Sequence, residues 1–530
     1  MISLTEFMEF AKTFTMIPFV TEIPILKLSD LNLTQLKENE PYLLLLESGE
    51  HGEEHGRFTY FSKSPFLVLQ SKQGEIKLMG EESFVQSILQ IGVDINESDP
   101  KQIIETILET YRSPRISSLP YFTGGAIGYF SYEWVKRTER INTDDQIPAP
   151  FSEFHLAFVK ELLVYDHEQQ RFLFIDHVLI NPMESDEVKE EKYHQTLAGI
   201  SKKAKQWEDW IRAKTKLIEN RTSNGENGQL EDKNDQDFQG QLENADTELN
   251  RKIHFSLTKE EFIEGVQQLK QSIRQGEIFQ AVPSLKQSVK TKADPAKTYS
   301  ILRTLNPSPY MVYLQMAEET LIGASPETLV KIVDDEISTF PIAGTRPRGR
   351  NEQEEDLLEQ DLQNDPKEIA EHVMLIDLAR NDLGKVSKPG TVNVIKKMKV
   401  EKYSHVMHLV SKVTGRLKEG LTSLDGLKAV FPAGTVSGAP KVRAMELIAE
   451  LEKEQRGPYA GAVAAIGFNG NLDTCITIRS IFFHQGTAYV QSGAGIVYDS
   501  IPEKEYKEVT NKAKAMIQAI AMAERSYLEE

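Results

Sequence analysis

The sequence predicts an α+β protein, and three observations carry that prediction. Strand-like runs recur in both halves of the chain, mixed with helical runs rather than laid out as a doubly wound parallel sheet. No Rossmann, P-loop, GxSxG or HExxH fingerprint is present. No internal repeat of fixed period appears.

Taken in order, MISLTEFMEFAKTF has acids among its apolar residues and no basic n-region, which predicts an amphipathic helix rather than a signal peptide. PYLLLLES, GRFTYFS, PFLVLQS and EIKLMG are spaced like an antiparallel meander. FTGGAIGYFSYEWV and ELLVYDHEQQRFLFIDHVLI add strands, with DHEQQ as a hairpin end. Residues 185–218 are charged and helical. Residues 219–251 hold almost no apolar side chain and predict a disordered linker or insertion. SLTKEEFIEGVQQLKQSIRQGE then opens a capped helix. The strands FQAVPSLKQSV, YMVYLQM, TLIGAS, TLVKIVDD and EISTFPIAGT follow. A long helix is expected from Pro366 through Arg380, then more helices, the strands GAVAAIGF and CITIRSIFF, and a last helix from Glu503. The simplest division is a first region over 1–200, a charged helical tail and acidic linker over 201–255, and a second region over 256–530.

Composition narrows the function. The chain has 530 residues, 40 % of them hydrophobic and 27 % charged, enough for roughly two to four domains and a core that needs no staples. A net charge of −19 disfavours phosphate backbones and anionic membranes as partners. No apolar run reaches the length of a bilayer span. A single cysteine, Cys475, excludes an intramolecular disulfide and a thiolate-cluster metal site, and fits a reducing cytoplasm.

Two loops suggest a small ligand with two carboxylates. FPAGTVSGAPKVRAM (431–445) places Gly434, Thr435, Ser437 and Gly438 just before an amphipathic helix, and QSGAGIVYDS (491–500) precedes another. Glycine lets amides approach a ligand closely, and a helix N-terminus favours an anion. Either loop alone reads equally well as a tight turn. Glu368 and Glu371 are three apart on one predicted helix, and Glu505 and Glu508 repeat that spacing on another. Like charges so placed repel, so the two pairs are candidate magnesium ligands. For any one pair alone a solvated helix face is the simpler reading. Arg479, in the apolar run CITIRS, needs a partner; a substrate carboxylate or a structural salt bridge serves equally. His408, among apolar residues, reads first as a satisfied core residue, and Glu327 alone says little.

Together these segments resemble the chorismate-utilising enzymes, from about Leu257 to Ala523. The blocks are GASPE (323–327), PIAGTRPRG (341–349), EHVMLIDLARNDLG (371–384), YSHVMHLVSKVTG (403–415), AGTVSGAPK (433–441), DTCITIR (473–479) and QSGAGIVYDS. LLLES (44–48), GRFTYFS and FTGGAIGYFSYE match more weakly. The resemblance implies a large mixed α/β sandwich of antiparallel-rich sheets flanked by helices. It implies chorismate as substrate and magnesium held by Glu371 and Glu508, with Glu368 and Glu505 beside them. Tyr459, Arg479 and the amides of Gly493, Ala494 and Gly495 match groups that hold the enolpyruvyl side, with Lys512 as a further positioning residue. Glu327 matches the general acid for loss of the ring hydroxyl, and His408 and Thr435 match residues lining the ring.

The branches differ at a few positions. Members that add water carry a basic Lys where this chain has Gln280, so Gln280 points to amination. Aminodeoxychorismate synthases often carry a nucleophilic Lys where this chain has Ala343. GNLDTCITIR resembles the anthranilate branch, whereas FTGGAIGYFSYE, EKYSHVMH and QSGAG stand as close to the aminodeoxychorismate branch. The expected activity is conversion of chorismate and ammonia to anthranilate and pyruvate, the first step of tryptophan biosynthesis. The alternative product is 4-amino-4-deoxychorismate. With no glutaminase nucleophile motif, the chain is expected to need a glutamine amidotransferase subunit, or free ammonia at high pH. The anthranilate branch is feedback-inhibited by tryptophan, for which the matching residues are Glu47, Ser48, Pro309, Tyr310, Met311 and Cys475.

Overall fold

The computed structural model describes residues 2–24, 26–49, 56–92, 94–95, 97–142, 146–222, 252–402 and 406–529. Two large antiparallel sheets stack face to face, each covered by helices on its outer side. The first sheet runs Met16–Ile23, Arg171–Leu179, Glu161–Asp166, Phe58–Lys63, Tyr42–Glu47, Tyr310–Met316, Glu319–Ser325, Ser480–His484, Thr487–Gly493, Ser284–Lys290 and His254–Phe255. The second runs Ile342–Pro347, Val406–Arg416, Glu336–Thr339, Thr328–Val333, Leu472–Ile476, Ala462–Gly467, Gly125–Phe130, Phe154–Val159, Leu67–Lys72 and Glu75–Gly80, with Asn393–Lys402 also paired to Val406–Arg416. This is the α+β sandwich that the resemblance implied.

Both sheets cross from one half of the chain to the other. Tyr42–Glu47 pairs with Tyr310–Met316, and Gly125–Phe130 with Ala462–Gly467. The run PYLLLLES lacks polar alternation because its strand is covered on both faces. Leu44 joins the core between the sheets with Tyr129, Val312 and Val463. Leu43 and Leu45 face the helix layer, with Phe61, Trp207 and Ile520. A third core packs the outer face of the second sheet against helices through Ile104, Ile376, Leu427 and Met445.

Several local expectations are corrected. The first four strands do not form one meander. Phe58–Lys63 pairs with Glu161–Asp166, and Leu67–Lys72 belongs to the other sheet. The chain changes sheets at Ser64, which has φ 53, and Pro65; an apolar pattern carries no label for the sheet it joins. The segment after the long helix Pro366–Val386 is not helical, because Asn393–Lys402 alternates in burial with period two. The helix Asp186–Thr222 extends through residues 219–222, with no Gly or Pro to stop it there. The rest of the expected linker, 223–251, lies outside the described residues. The DHEQQ hairpin joins Glu161–Asp166 to Arg171–Leu179 as expected. Near the start, Leu4–Phe10 is a helix closed by a Ser3–Glu6 capping box, with Phe7 buried. No helix among the described residues is long and apolar enough to cross a membrane.

Candidate active site

A cavity of about 560 Å³ opens where strands of both sheets end. The helix Pro366–Val386, packed on the second sheet, faces it with Glu368, Glu371 and Leu375. The helix Pro502–Glu529, packed on the first sheet, faces it with Glu505, Glu508, Lys512 and Met516. Steps of three and four residues put each set on one helix face. Asp365 caps the first helix by accepting from the Lys367 and Glu368 amides, and Pro366 fits its first turn.

The carboxylates repel one another across this space. Burial raises the Glu371 pKa, and the like charges of Glu368 and Glu508 raise it further. Burial and Glu508 raise Glu505. Glu368 meets Arg346 Nη1 at 3.4 Å and Glu508 meets Lys512 Nζ at 2.8 Å, while Glu371 forms no ion pair with the described residues. No group of three or more His, Cys, Asp or Glu among the described residues could hold a metal ion by itself. The donors therefore suit an oxygen-seeking cation held by one or two carboxylates and completed by substrate and water, as magnesium commonly is.

Glu327 follows the strand Glu319–Ser325 and enters the cavity from the side of the sheets. Burial pushes its pKa up to about 7, against the lowering effects of the Thr435 hydrogen bond and of the Arg479 and Lys512 charges. Thr435 Oγ1 donates to Glu327 Oε1 at 2.9 Å. A carboxyl group titrating near neutrality can hold a proton and give it up, as a general acid must. His408 also lines the cavity, on the strand Val406–Arg416. Its Nδ1 lies 2.8 Å from the Gly344 carbonyl and 3.1 Å from Thr345 Oγ1. It is held by polar partners rather than packed as a core residue. Gln280 is 6 % exposed and lies so close to Gly495 that a Cβ there would sit 2.6 Å from its Nε2. A side chain there would have to displace the Gln280 amide.

The second glycine loop lines the cavity through Gly493 and Gly495 beside Tyr459. A Cβ on Gly493 would stand 2.8 Å from the Tyr459 hydroxyl, and the Gly493 carbonyl accepts from Lys512 Nζ at 3.0 Å. Arg479 lines the same wall, but not from within a strand. The strand Leu472–Ile476 ends before it, and Arg479 has a φ of 50, in the left-handed region that is uncommon for a residue bearing a side chain.

Two expectations about the loops fail. Ala494 is turned into the core, and its amide donates to the Pro283 carbonyl at 3.3 Å, so neither faces the cavity. The helix Lys441–Leu451 does not present its N-terminus to the cavity. Gly438 and Ala439 pair instead with Ala281 and Gln280, and Lys441 bonds Asp382. The first loop contributes Thr435 and Val436 only. Gln491 and Ser492 also line the cavity without having been singled out. Their only signal is membership of the segment QSGAGIVYDS.

A second cavity of about 240 Å³ lies between the sheets, lined by Glu47, Ser48, Pro309, Tyr310, Met311 and Cys475. Glu47 already pairs with Arg303 Nε at 2.9 Å and accepts the Tyr299 hydroxyl. Asp473, not singled out from sequence, also lines this cavity. It accepts the Tyr121 and Tyr310 hydroxyls at 2.6 and 2.9 Å. It sits two residues before Cys475 on one strand, which places both on the same face. Tyr310 also bonds Thr328, the neighbour of Glu327, at 2.9 Å.

Comparison with known proteins agrees with this arrangement. The chain is 40 % identical over 521 residues to anthranilate synthase component 1 of Acetivibrio thermocellus, covering 98 % of each chain. It is 39 % identical over 531 residues to the protein of that name from Aquifex aeolicus, covering 100 % of this chain and 99 % of that one. The crystal structure of anthranilate synthase component I from Streptococcus pneumoniae superposes with a TM-score of 0.65 at 33 % identity, over 88 % of this chain and 93 % of that one. Residues 64–518 match the family described as chorismate binding enzyme, and to that family the chain belongs.

Proposed function

We propose that the chain aminates chorismate to anthranilate, with release of pyruvate and water, as the initial step of tryptophan biosynthesis. The observation that carries this reading is the polarity of the first cavity. Arg479 and the Gly493–Gly495 turn line it with a cluster of carboxylates from two helices, and Lys512 reaches both the Gly493 carbonyl and Glu508. A substrate with two carboxylates is matched at one end directly by cations. At the other end it is matched through a metal ion that Glu371 and Glu508 would hold. Magnesium bound there would neutralise the ring carboxylate and the acidic cluster together.

In this reading Arg479, Lys512 and Tyr459 hold the enolpyruvyl carboxylate and orient the ring. The ammonia nitrogen bonds to the ring, and the ring hydroxyl leaves as water with the proton that Glu327 donates. Loss of the enolpyruvyl group as pyruvate and of a ring proton then gives the aromatic amine. Thr435 holds the Glu327 carboxylate in place. Gln280 is neutral and a poor base for water, which favours ammonia as the nucleophile. Burial pushes the Cys475 thiol up to about 12, so the chain has no thiolate with which to attack glutamine. A separate glutamine amidotransferase subunit would supply ammonia, in keeping with relatives named as a first component. The second cavity would take tryptophan as inhibitor.

The test is direct. Purified chain, chorismate, magnesium and an ammonium salt should yield fluorescent anthranilate with no other protein added. Accumulation of a non-aromatic amine that becomes aromatic only when a lyase is supplied would replace this reading with the aminodeoxychorismate one.

A further inference from the structure

Behind the first cavity lies a buried ion pair that does not itself line it. Arg456 is 3 % exposed and Glu452 6 %. Arg456 Nε donates to Glu452 Oε2 at 2.9 Å, and Nη2 to Oε1 at 2.7 Å. The same guanidinium reaches two main-chain carbonyls, Val436 through Nη1 at 2.8 Å and Val282 through Nη2 at 2.7 Å. Glu452 Oε1 also accepts from the Ser284 amide and hydroxyl, both at 2.8 Å. Ser284 Oγ in turn accepts from Gln491 Nε2 at 2.8 Å. The guanidinium carbon stands 4.6 Å from the Tyr132 ring centre and 5.7 Å from that of Tyr459.

The endpoints of this network are cavity walls. Val282, Val436, Tyr459 and Gln491 all line the first cavity, and they come from four separate segments. Val436 follows Thr435 directly, and Val282 lies two residues after Gln280. A buried ion pair is a weak source of stability, since desolvation offsets much of its attraction. A planar fork of donors is, by contrast, a strong source of fixed geometry. Apolar side chains of similar volume would fill the space and bond neither carbonyl.

We propose that Arg456, oriented by Glu452, is a positioning residue that sets Thr435, Gln280 and Tyr459 in register around the substrate ring. This rests on reading the first cavity as the reaction site. Thr435 holds Glu327, so a shift of the Val436 carbonyl is passed to the acid. Misplacement of a reacting group by about 1 Å costs on the order of a hundredfold in rate.

Two variants test this. Arg456→Lys keeps the charge opposite Glu452 but cannot bond both carbonyls. Arg456→Met combined with Glu452→Gln removes both charges, so no unpaired carboxylate is left buried. Both should keep the far-UV spectrum of the parent. Ammonia-dependent kcat should fall about a hundredfold in each, with KM for chorismate changed less than about threefold. Amides of 280–282 and 434–437 should exchange with deuterium at least about tenfold faster, and those of the helix Lys441–Leu451 should not. Recovery of kcat by Arg456→Lys, faster exchange without loss of kcat, or unchanged exchange would each overturn the proposal. If the parent itself fails to turn over chorismate, the reading of the cavity fails. The exchange data then decide by themselves whether Arg456 holds the two segments together.

Discussion

Glu327 concentrates the chemistry proposed for the first cavity. Its pKa, raised to about 7 by burial, leaves the carboxyl protonated below that pH and ionised above it. As a proton donor it should give a kcat that falls as pH rises through the neutral range. The Thr435 hydroxyl stabilises the ionised form by donating to it, so Thr435→Val should raise the Glu327 pKa and move the alkaline limb to higher pH. The check is kcat against pH at constant free ammonia; a limb unmoved, or moved downward, would count against Glu327 as the acid. From sequence, Glu327 carried little meaning outside its motif. Nothing in the string SPET reports that Thr435, more than a hundred residues away, will meet it. Distance along the chain likewise hid the Val282 carbonyl that Arg456 bonds and the Tyr121 and Tyr310 hydroxyls that Asp473 accepts. Ala494 shows the opposite failure: a motif named it, but a residue between two glycines turns its amide inward to Pro283.

Two helices and three strands carry what is decided at the level of elements. The helical spacing of Glu368 with Glu371 and of Glu505 with Glu508 was legible, because a period of 3.6 fixes which residues share a face. That the faces meet across one cavity was not, since it depends on which sheet each helix covers. Glu371→Gln or Glu508→Gln should lower magnesium-dependent turnover by at least about a hundredfold. Thermal stability should hold or rise, because each substitution relieves repulsion in a like-charge cluster. Turnover within a few-fold of the parent would remove these residues from the metal site. The strands Tyr42–Glu47, Tyr310–Met316 and Leu472–Ile476 wall the second cavity. Tyr310 links it to Thr328 beside Glu327. If tryptophan binds there and favours one arrangement of that wall, it can alter the first cavity at a distance. Ser48→Phe should then weaken tryptophan inhibition by at least about tenfold, with turnover in its absence near that of the parent. A parent indifferent to millimolar tryptophan would remove the regulatory reading. Strand identity was harder to read than helix identity here. Asn393–Lys402 and Val406–Arg416 follow a long helix where the sequence predicts further helices, although the first alternates in burial with period two.

At the scale of the molecule, both sheets are built from both halves of the chain, so the regions over 1–200 and 256–530 should not unfold apart. All three tryptophans, Trp134, Trp207 and Trp210, lie in the first half, while most cavity residues lie in the second. Denaturant unfolding followed by tryptophan fluorescence and by turnover should give one coincident transition. Two separated transitions would show that the halves are independent. Leu44→Ala, at a fully buried position on the strand that joins the halves, should cost about 2–5 kcal/mol and shift both probes together. The continuity of the sheets was invisible in the sequence, because strand order is a long-range property and the stretch over 219–251 invites a division there. The proposed function requires this cavity to aminate chorismate and to complete the reaction to an aromatic product. Its most direct measurement uses ¹⁵N-ammonium, chorismate and magnesium with the purified chain alone, followed by NMR of the products. Label is expected in 2-aminobenzoate, with an equal amount of pyruvate. Label in a 4-amino, non-aromatic product with no pyruvate released would contradict it.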